Sequence, residues 1–238
     1  MKAGSIIATY ANYEGGIVGF SANSAEEFIG AKGQLAQEFA FSASESALTC
    51  STTQGNLLVL AGTEEIIKLY NLRTKKSAGE LAGEHETSIT TVAATPKHVL
   101  SGAADGMIVI WRAADMEVIH KLVVKNVSPV KSLSMHNSQR MCLALYANGM
   151  LRLWNMLDAR CIFKRKVGLE VDESEDEDAS HNSENLVQTI ASKYTNTPES
   201  VKWEPYSGQS YCVLFSKSLE IYNVDADTPL HKISFDTI

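Results

Sequence analysis

The sequence predicts an all-β protein built from repeated four-stranded units, a β-propeller, and three observations lead to this prediction. A short motif that ends in an aromatic residue returns along the 238 residues. Two of its intervals match the length of one propeller blade, about 40–45 residues. Between the motifs, short β-branched runs alternate with Gly, Asp and Pro, and helical periodicity is nearly absent.

The motif reads apolar, any residue, apolar or glycine, then aromatic, and it occurs five times. Its aromatic residues are 50, 41, 43 and 68 residues apart, and they are Phe20, Tyr70, Trp111, Trp154 and Tyr222. The two longer intervals each contain a polar surplus, at 21–34 and around an acidic run after residue 168, which predicts insertions between or within repeats. We expect about five blades in one domain over residues 1–238.

Two units show the strand signals most clearly. In the first, alternating β-rich runs predict strands at 89–94, 97–102, 107–111 and 118–123. The next unit repeats the order at 130–135, 141–146, 150–154 and 161–166. Asp105-Gly106 and Asn148-Gly149 stand between the second and third strands, where Asn-Gly supplies the positive φ values of a tight hairpin. Sandwiches and closed barrels share short strands, but neither predicts an aromatic motif that returns at blade length.

Composition and charge exclude several classes of function. The formal net charge is −7, and residues 170–178 alone hold seven acidic residues and no basic one, so the rest of the chain is close to neutral. That balance argues against a broad basic footprint for nucleic acid, although direct RNA contact stays open. No apolar run approaches the ~20 residues of a membrane span. The four cysteines and six histidines have no metal-ligand spacing, so we expect no bound metal. We also expect no cofactor and no small-molecule substrate.

One unit carries a set of polar residues whose spacing has two interpretations. His85, Ser101 and Asp105 superficially resemble a hydrolase triad, but no Gly-x-Ser-x-Gly elbow accompanies them. With Trp111 they resemble the hydrogen-bonded set of WD repeats, which satisfies buried polar groups and locks the strands of one blade together. We therefore predict a structural set and no catalytic residue, so the chain is not expected to be an enzyme. The other units lack a full set, since Tyr70 and Tyr222 replace tryptophan and Val127 stands near the histidine position.

Longer stretches narrow the resemblance. Four of them, in one order along the chain, are similar to the WD-repeat proteins that interact with p21-activated kinases, including the maintenance-of-killer member: YEGGIVGF at 13–20, HVLSGAADGMIVIW at 98–111, LRLWN at 151–155 and VKWEP at 201–205. The resemblance implies a WD40 propeller of seven blades with a basic tail, so about five blades predict an incomplete ring with open sheet edges.

The resemblance also implies a function. It predicts a non-catalytic scaffold in the assembly of the large (60S) ribosomal subunit, located in the nucleolus or nucleus. Its expected partners are ribosomal proteins or assembly factors of the large-subunit precursor, with no membrane. The alternative is a signalling regulator that binds and inhibits a p21-activated protein kinase. Fold alone does not decide between them, because propellers present many different binding loops.

The acidic run has two interpretations of its own. It is either a solvated, disordered insertion at about 169–185 or a docking strip for the basic tails of partner proteins. Ser174 within it resembles an acidophilic-kinase site, and phosphate would add further negative charge. The residues of the candidate docking or phosphorylation segment are Asp172, Glu173, Ser174, Glu175, Asp176, Glu177 and Asp178.

Several other polar and aromatic residues receive a purely structural interpretation. We expect ordinary exposed positions on the repeat strands for Lys68, Arg112, Arg152 and Glu220, and core positions for the aromatic residues Trp203, Tyr206 and Tyr211.

Overall fold

The computed structural model describes residues 6–22, 36–124, 128–168 and 196–235, and all of its regular structure is β-strand. Nineteen strands form five antiparallel sheets within these residues, and none of the described residues is helical, so no helix that could span a membrane occurs among them. The acidic segment that contains Asp172–Asp178, and Val127, lie outside the described residues.

Each sheet is a meander of strands that are consecutive in sequence. The first sheet has three strands, β1 (Ile6–Ala11), β2 (Gly16–Ala22) and β3 (Ala36–Ser42). The second comprises β4 (Leu48–Gln54), β5 (Leu57–Gly62), β6 (Ile67–Asn71) and β7 (Lys76–Leu81). The third comprises β8 (Ile89–Ala94), β9 (His98–Ala103), β10 (Ile108–Arg112) and β11 (Val118–Leu122).

The remaining two sheets repeat this plan. The fourth comprises β12 (Val130–Met135), β13 (Met141–Tyr146), β14 (Met150–Asn155) and β15 (Arg160–Lys166). The fifth comprises β16 (Pro198–Trp203), β17 (Ser210–Phe215), β18 (Ser218–Asn223) and β19 (His231–Ser234). The strand boundaries predicted for the third and fourth sheets are confirmed to within one residue.

The first strands of the four-stranded sheets lie against one another. β4 contacts β8, β8 contacts β12, and β12 contacts β16, whereas the last strands β7 and β19 are mostly exposed. Inner strands that meet and outer strands that face solvent give a propeller-like arrangement. The all-β prediction is confirmed.

Side-chain hydroxyls tie adjacent inner strands together. The hydroxyl of Thr90 in β8 donates to the carbonyl oxygen of Val130 in β12 at 2.5 Å. Ser132 and Ser134 in β12 accept the backbone N–H groups of Val201 and Trp203 in β16, at 3.2 and 2.9 Å. Because neighbouring inner strands do not share a hydrogen-bonded ladder here, these hydroxyls satisfy backbone groups that would otherwise be buried without partners.

The hydrophobic core lies in the layers between successive sheets. Four apolar clusters occupy the four layers, and Leu60, Val99, Leu133 and Val213 are representative buried members. The predicted turns in the third and fourth sheets are present, but only their glycines have positive φ, 79° at Gly106 and 80° at Gly149. The expectation that Asn148 would also adopt positive φ is wrong, because the connection is a three-residue turn rather than a two-residue hairpin.

Candidate functional site

The polar set of the third sheet comes together around Ser101. The His85 ring Nε2 lies 2.6 Å from the Ser101 Oγ, and the Trp111 indole N–H donates to the same oxygen at 3.2 Å. Ser101 is 0% exposed and His85 is 4% exposed. A serine hydroxyl with no access to solvent cannot reach a substrate, so the geometry fits a strand lock rather than a nucleophile.

Asp105 does not join the hydrogen-bonded set around Ser101 that its spacing predicts. Its carboxylate accepts the backbone N–H of Met107 at 2.8 Å and so closes the turn between β9 and β10. The Nδ1 of His85 has no hydrogen-bond partner among the described residues. Burial lowers the pKa of His85 and Lys121 lowers it further, while the negative charges of Asp105 and Glu84 oppose that shift. Asp105 therefore acts on His85 by charge, without a hydrogen bond.

The other repeat aromatics find different partners. The Tyr70 hydroxyl donates to the carbonyl oxygen of Ala43 at 3.3 Å, and the Tyr222 hydroxyl donates to Glu220 at 2.6 Å. Phe20 is half-buried in β2. The Trp154 indole N–H is buried without a hydrogen-bond partner among the described residues.

A polar joint connects the fourth and fifth sheets. Arg165 of β15 donates to the Tyr211 hydroxyl at 2.6 Å, and its guanidinium lies 5.6 Å from the centre of the Tyr222 ring. The Tyr211 and Tyr222 rings stack with centroids 5.4 Å apart. Glu220 is 5% exposed and pairs with Lys232 at 3.0 Å, so the expectation of an exposed Glu220 is wrong. Burial raises the pKa of Tyr211 to about 12.

The loops at one end of the sheets are acidic. Two sets of loops lie at this end: those that precede the first strand of a sheet, and those that join the second and third strands of a four-stranded sheet. The β1–β2 turn lies beside them, because the backbone N–H of Ala43 donates to the carbonyl oxygen of Gly15 at 2.8 Å. We call this the acidic end. Within the described residues its loops hold one lysine, Lys217, and seven carboxylates, at Glu14, Glu45, Glu64, Glu65, Glu84, Glu86 and Asp105.

A pocket of about 490 Å³ opens at the acidic end between the first and second sheets. Lys68 lies in it and is held by Ser44 at 3.1 Å and by Glu64 at 3.3 Å. Glu45 and Glu80 also line the pocket, and no ion pair engages them within the described ranges. The pocket is therefore polar and net acidic, which favours basic groups of a partner.

At the end of the sheets opposite the acidic end, one aromatic residue is exposed although the sequence predicts a core position for it. Trp203 and Tyr211 are buried, as expected for core residues, but Tyr206 is 90% exposed. Tyr206 lies in the loop between β16 and β17, and the local sequence does not distinguish a loop aromatic that points to solvent from one that packs inward.

Thiols and metal-ligating side chains give no further site in the described part of the chain. Burial raises the pKa values of Cys50 and Cys142 to about 12, so both remain protonated thiols at neutral pH. All four cysteines are free, and no group of three or more His, Cys, Asp or Glu in the described ranges could hold a metal ion.

The amino-acid sequence is similar to those of proteins named for interacting with or binding kinases. The chain is 26% identical over 214 residues to "p21-activated protein kinase-interacting protein 1-like" of Gallus gallus, which covers 90% of the chain and 48% of that protein. The protein of the same name from Danio rerio is 24% identical over 197 residues, 83% of the chain and 46% of the relative. "Shk1 kinase-binding protein 15" of Schizosaccharomyces pombe is 23% identical over 120 residues, 49% of the chain and 35% of the relative. No family model matches the chain.

The similarity to kinase-interacting proteins that the sequence motifs predict is thus confirmed at low identity. The chain spans about half the length of the first two of these relatives. Their similarity runs through most of the five sheets rather than through one local motif, because it covers 90% and 83% of the chain.

Proposed function

We propose that the chain is a WD40-type propeller that binds proteins without catalysis and that one of its partners is a protein kinase of the p21-activated class. The observation that carries the proposal is the similarity, over most of the chain, to two relatives named for interacting with such kinases. A third relative, similar over about half of the chain, is named for binding Shk1 kinase. Loops on a rigid stack of sheets support it, since binding residues are positioned best on rigid scaffolds. The sheets then correspond to blades, and His85, Ser101 and Trp111 to the lock of one blade.

The acidic end is the surface that we assign to the kinase. Exposed carboxylates at Glu45 and Glu65 are not committed to ion pairs within the described residues, so they are available to a basic partner surface. Complementary charge chiefly raises the association rate and makes binding dependent on salt. A kinase held by this end should therefore associate more slowly as ionic strength rises.

The direct test is binding of the purified chain to a purified p21-activated kinase from the same organism, measured by biolayer interferometry at low and moderate salt. We expect Glu45→Lys with Glu65→Lys to weaken binding by about tenfold, mostly through the association rate. Glu117→Lys with Asp158→Lys makes the same charge change at the opposite end and serves as the control, although each of these exposed carboxylates pairs with an exposed arginine. Kinase that fails to bind the unaltered chain would refute the proposal.

A second candidate is the assembly of the large ribosomal subunit in the nucleolus. It is supported by the acidic charge, since the acidic end and residues 170–178 both complement basic ribosomal proteins. Gradient sedimentation of the tagged protein from a cell extract tests this role. Co-migration with large-subunit precursors is expected for an assembly factor, whereas co-migration with a kinase near the top of the gradient favours the signalling role.

A further inference from the structure

The loop that joins β16 and β17, residues 204–209, is held in one conformation. The Glu204 carboxylate accepts the backbone N–H groups of Tyr206, Ser207 and Gly208 at 2.7, 2.6 and 2.9 Å. Hydrogen bonds from Ser207 and these backbone groups lower the pKa of Glu204, so it is ionised at neutral pH. Tyr206 stands on this loop with 90% of its surface exposed.

The fourth sheet fixes the same loop from the side. The Asn137 side-chain amide donates to the carbonyl oxygen of Tyr206 at 2.8 Å, and the His136 ring Nε2 lies 3.2 Å from the carbonyl oxygen of Gly208. A Cβ at Gly208 would lie 2.0 Å from that His136 nitrogen, and its φ is +66°, so glycine is required there. An exposed aromatic on a preorganised loop needs little further ordering when a partner binds, which favours affinity.

A pocket of about 260 Å³ opens beside this loop. Its lining combines apolar and polar residues, which besides Gly208 are Met141, Trp203, Val224, Gln209, Asn223 and Asp225. Asp225 is exposed and carries the only charge among these lining residues. Glu204 lies in the adjoining loop and is a second carboxylate near the pocket.

We propose that this pocket and Tyr206, together the Tyr206 site, bind an arginine side chain on an exposed segment of a partner protein. The aliphatic stem of arginine packs on the apolar lining residues Met141, Val224 and Trp203, while its guanidinium pairs with the Asp225 carboxylate. Tyr206 supplies a flat surface for the adjacent part of the segment, as tyrosine does at the energetic centres of many interfaces. Glutamate or aspartate in the pocket would be repelled by Asp225 and Glu204. The inference deepens the protein-binding function, on which it rests, by naming the side chain that is recognised.

The test uses fluorescent nonapeptide pools whose central residue is fixed as arginine or as glutamate, with mixed uncharged residues elsewhere, titrated against the full chain. We expect the arginine pool to bind at least about fivefold more tightly than the glutamate pool. Tyr206→Ala and Asp225→Asn should each weaken binding of the arginine pool by about fivefold. Both side chains are exposed, so the thermal midpoints of the variants should stay unchanged.

Tyr13→Ala is the matched control, because Tyr13 is a 78% exposed tyrosine in the β1–β2 turn at the acidic end. It should leave binding of both pools unaltered. Equal binding of the two pools, or arginine-pool binding that survives Tyr206→Ala and Asp225→Asn, would overturn the inference. The kinase assay tests a different claim. If the chain binds the arginine pool but not the kinase, the Tyr206 site is supported and the kinase is rejected as a partner.

Discussion

Replacing Ser101 by alanine tests whether the hydrogen-bonded set of the third sheet stabilises the fold. Among the described residues, the Ser101 hydroxyl is the only hydrogen-bond partner of two buried groups, the His85 Nε2 and the Trp111 indole N–H. Each buried polar group that loses its partner costs about 1–3 kcal/mol, so Ser101→Ala, which orphans two, should lower the free energy of unfolding by about 2–6 kcal/mol. That is a large share of the roughly 5–15 kcal/mol that holds a typical domain together.

Urea unfolding followed by tryptophan fluorescence measures this loss as a lower midpoint at an unchanged slope. Ser51→Ala makes the same chemical change at an exposed position of β4 and should shift the free energy by less than about 0.5 kcal/mol. If Ser101→Ala costs no more than Ser51→Ala, the hydroxyl is not stabilising the third sheet and the reasoning is refuted.

Three further predictions concern packing, pH and the joint between the last two sheets. Gly62→Ala should lower the free energy of unfolding by about 1–3 kcal/mol, because the new Cβ would lie 1.9 Å from the Ala47 carbonyl oxygen. Gly55→Asn, at φ +58° in open space, should leave it unchanged in urea unfolding, and equal losses for the two variants would contradict this. Burial keeps the pKa of His85 low, so on acidification this histidine is protonated in the unfolded chain before it is protonated in the folded one. Stability should therefore fall as the pH drops below the unfolded pKa of about 6.5. Urea midpoints measured from pH 7.5 to 5.5 should fall less for His85→Gln than for the unaltered chain, and parallel curves would contradict this. Glu220→Leu should cost about 1–3 kcal/mol because it leaves the buried Tyr222 hydroxyl without an acceptor, while Glu220→Gln, which keeps an acceptor, should cost less in the same assay.

The strands of the third and fourth sheets could be predicted to within a residue because local signals there agree with one another. Short β-branched runs, a Gly-containing turn and an aromatic third strand follow at blade length in both sheets. For the first, second and fifth sheets the sequence predicts the aromatic motif without bounds for the individual strands. Polar stretches lengthen the spacing around the first and fifth of them. Contacts between sheets, such as the hydroxyls of Thr90 and Ser132, have no local signal at all, because their partners lie 40 and 69 residues away.

The polar set was predicted in composition but not in geometry. His85 and Trp111 both contact the Ser101 hydroxyl, whereas the Asp105 carboxylate accepts a hydrogen bond within its own turn. Spacing alone cannot distinguish such a local hydrogen bond from a long-range one. Tyr206 was misplaced for the opposite reason. Its exposure depends on Glu204 and on Asn137 of the neighbouring sheet, and only the folded chain brings that asparagine to the loop.

One cross-strand pair has a polar member in each of the four four-stranded sheets. In the third sheet this pair is Ser101 with Val109, and the polar member lies on the second strand, where it binds Trp111. In the other four-stranded sheets the second strand has an apolar residue at that register, and the third strand carries the polar member instead, namely Lys68, Arg152 and Glu220. Each of these three engages a nearby polar or aromatic group: Ser44, the Tyr146 ring and the Tyr222 hydroxyl, respectively. Each four-stranded unit therefore has one polar side chain in this pair, on the second strand in the third sheet and on the third strand in the others. A motif search that fixes the polar residue to the second strand finds this feature in the third sheet alone among the four.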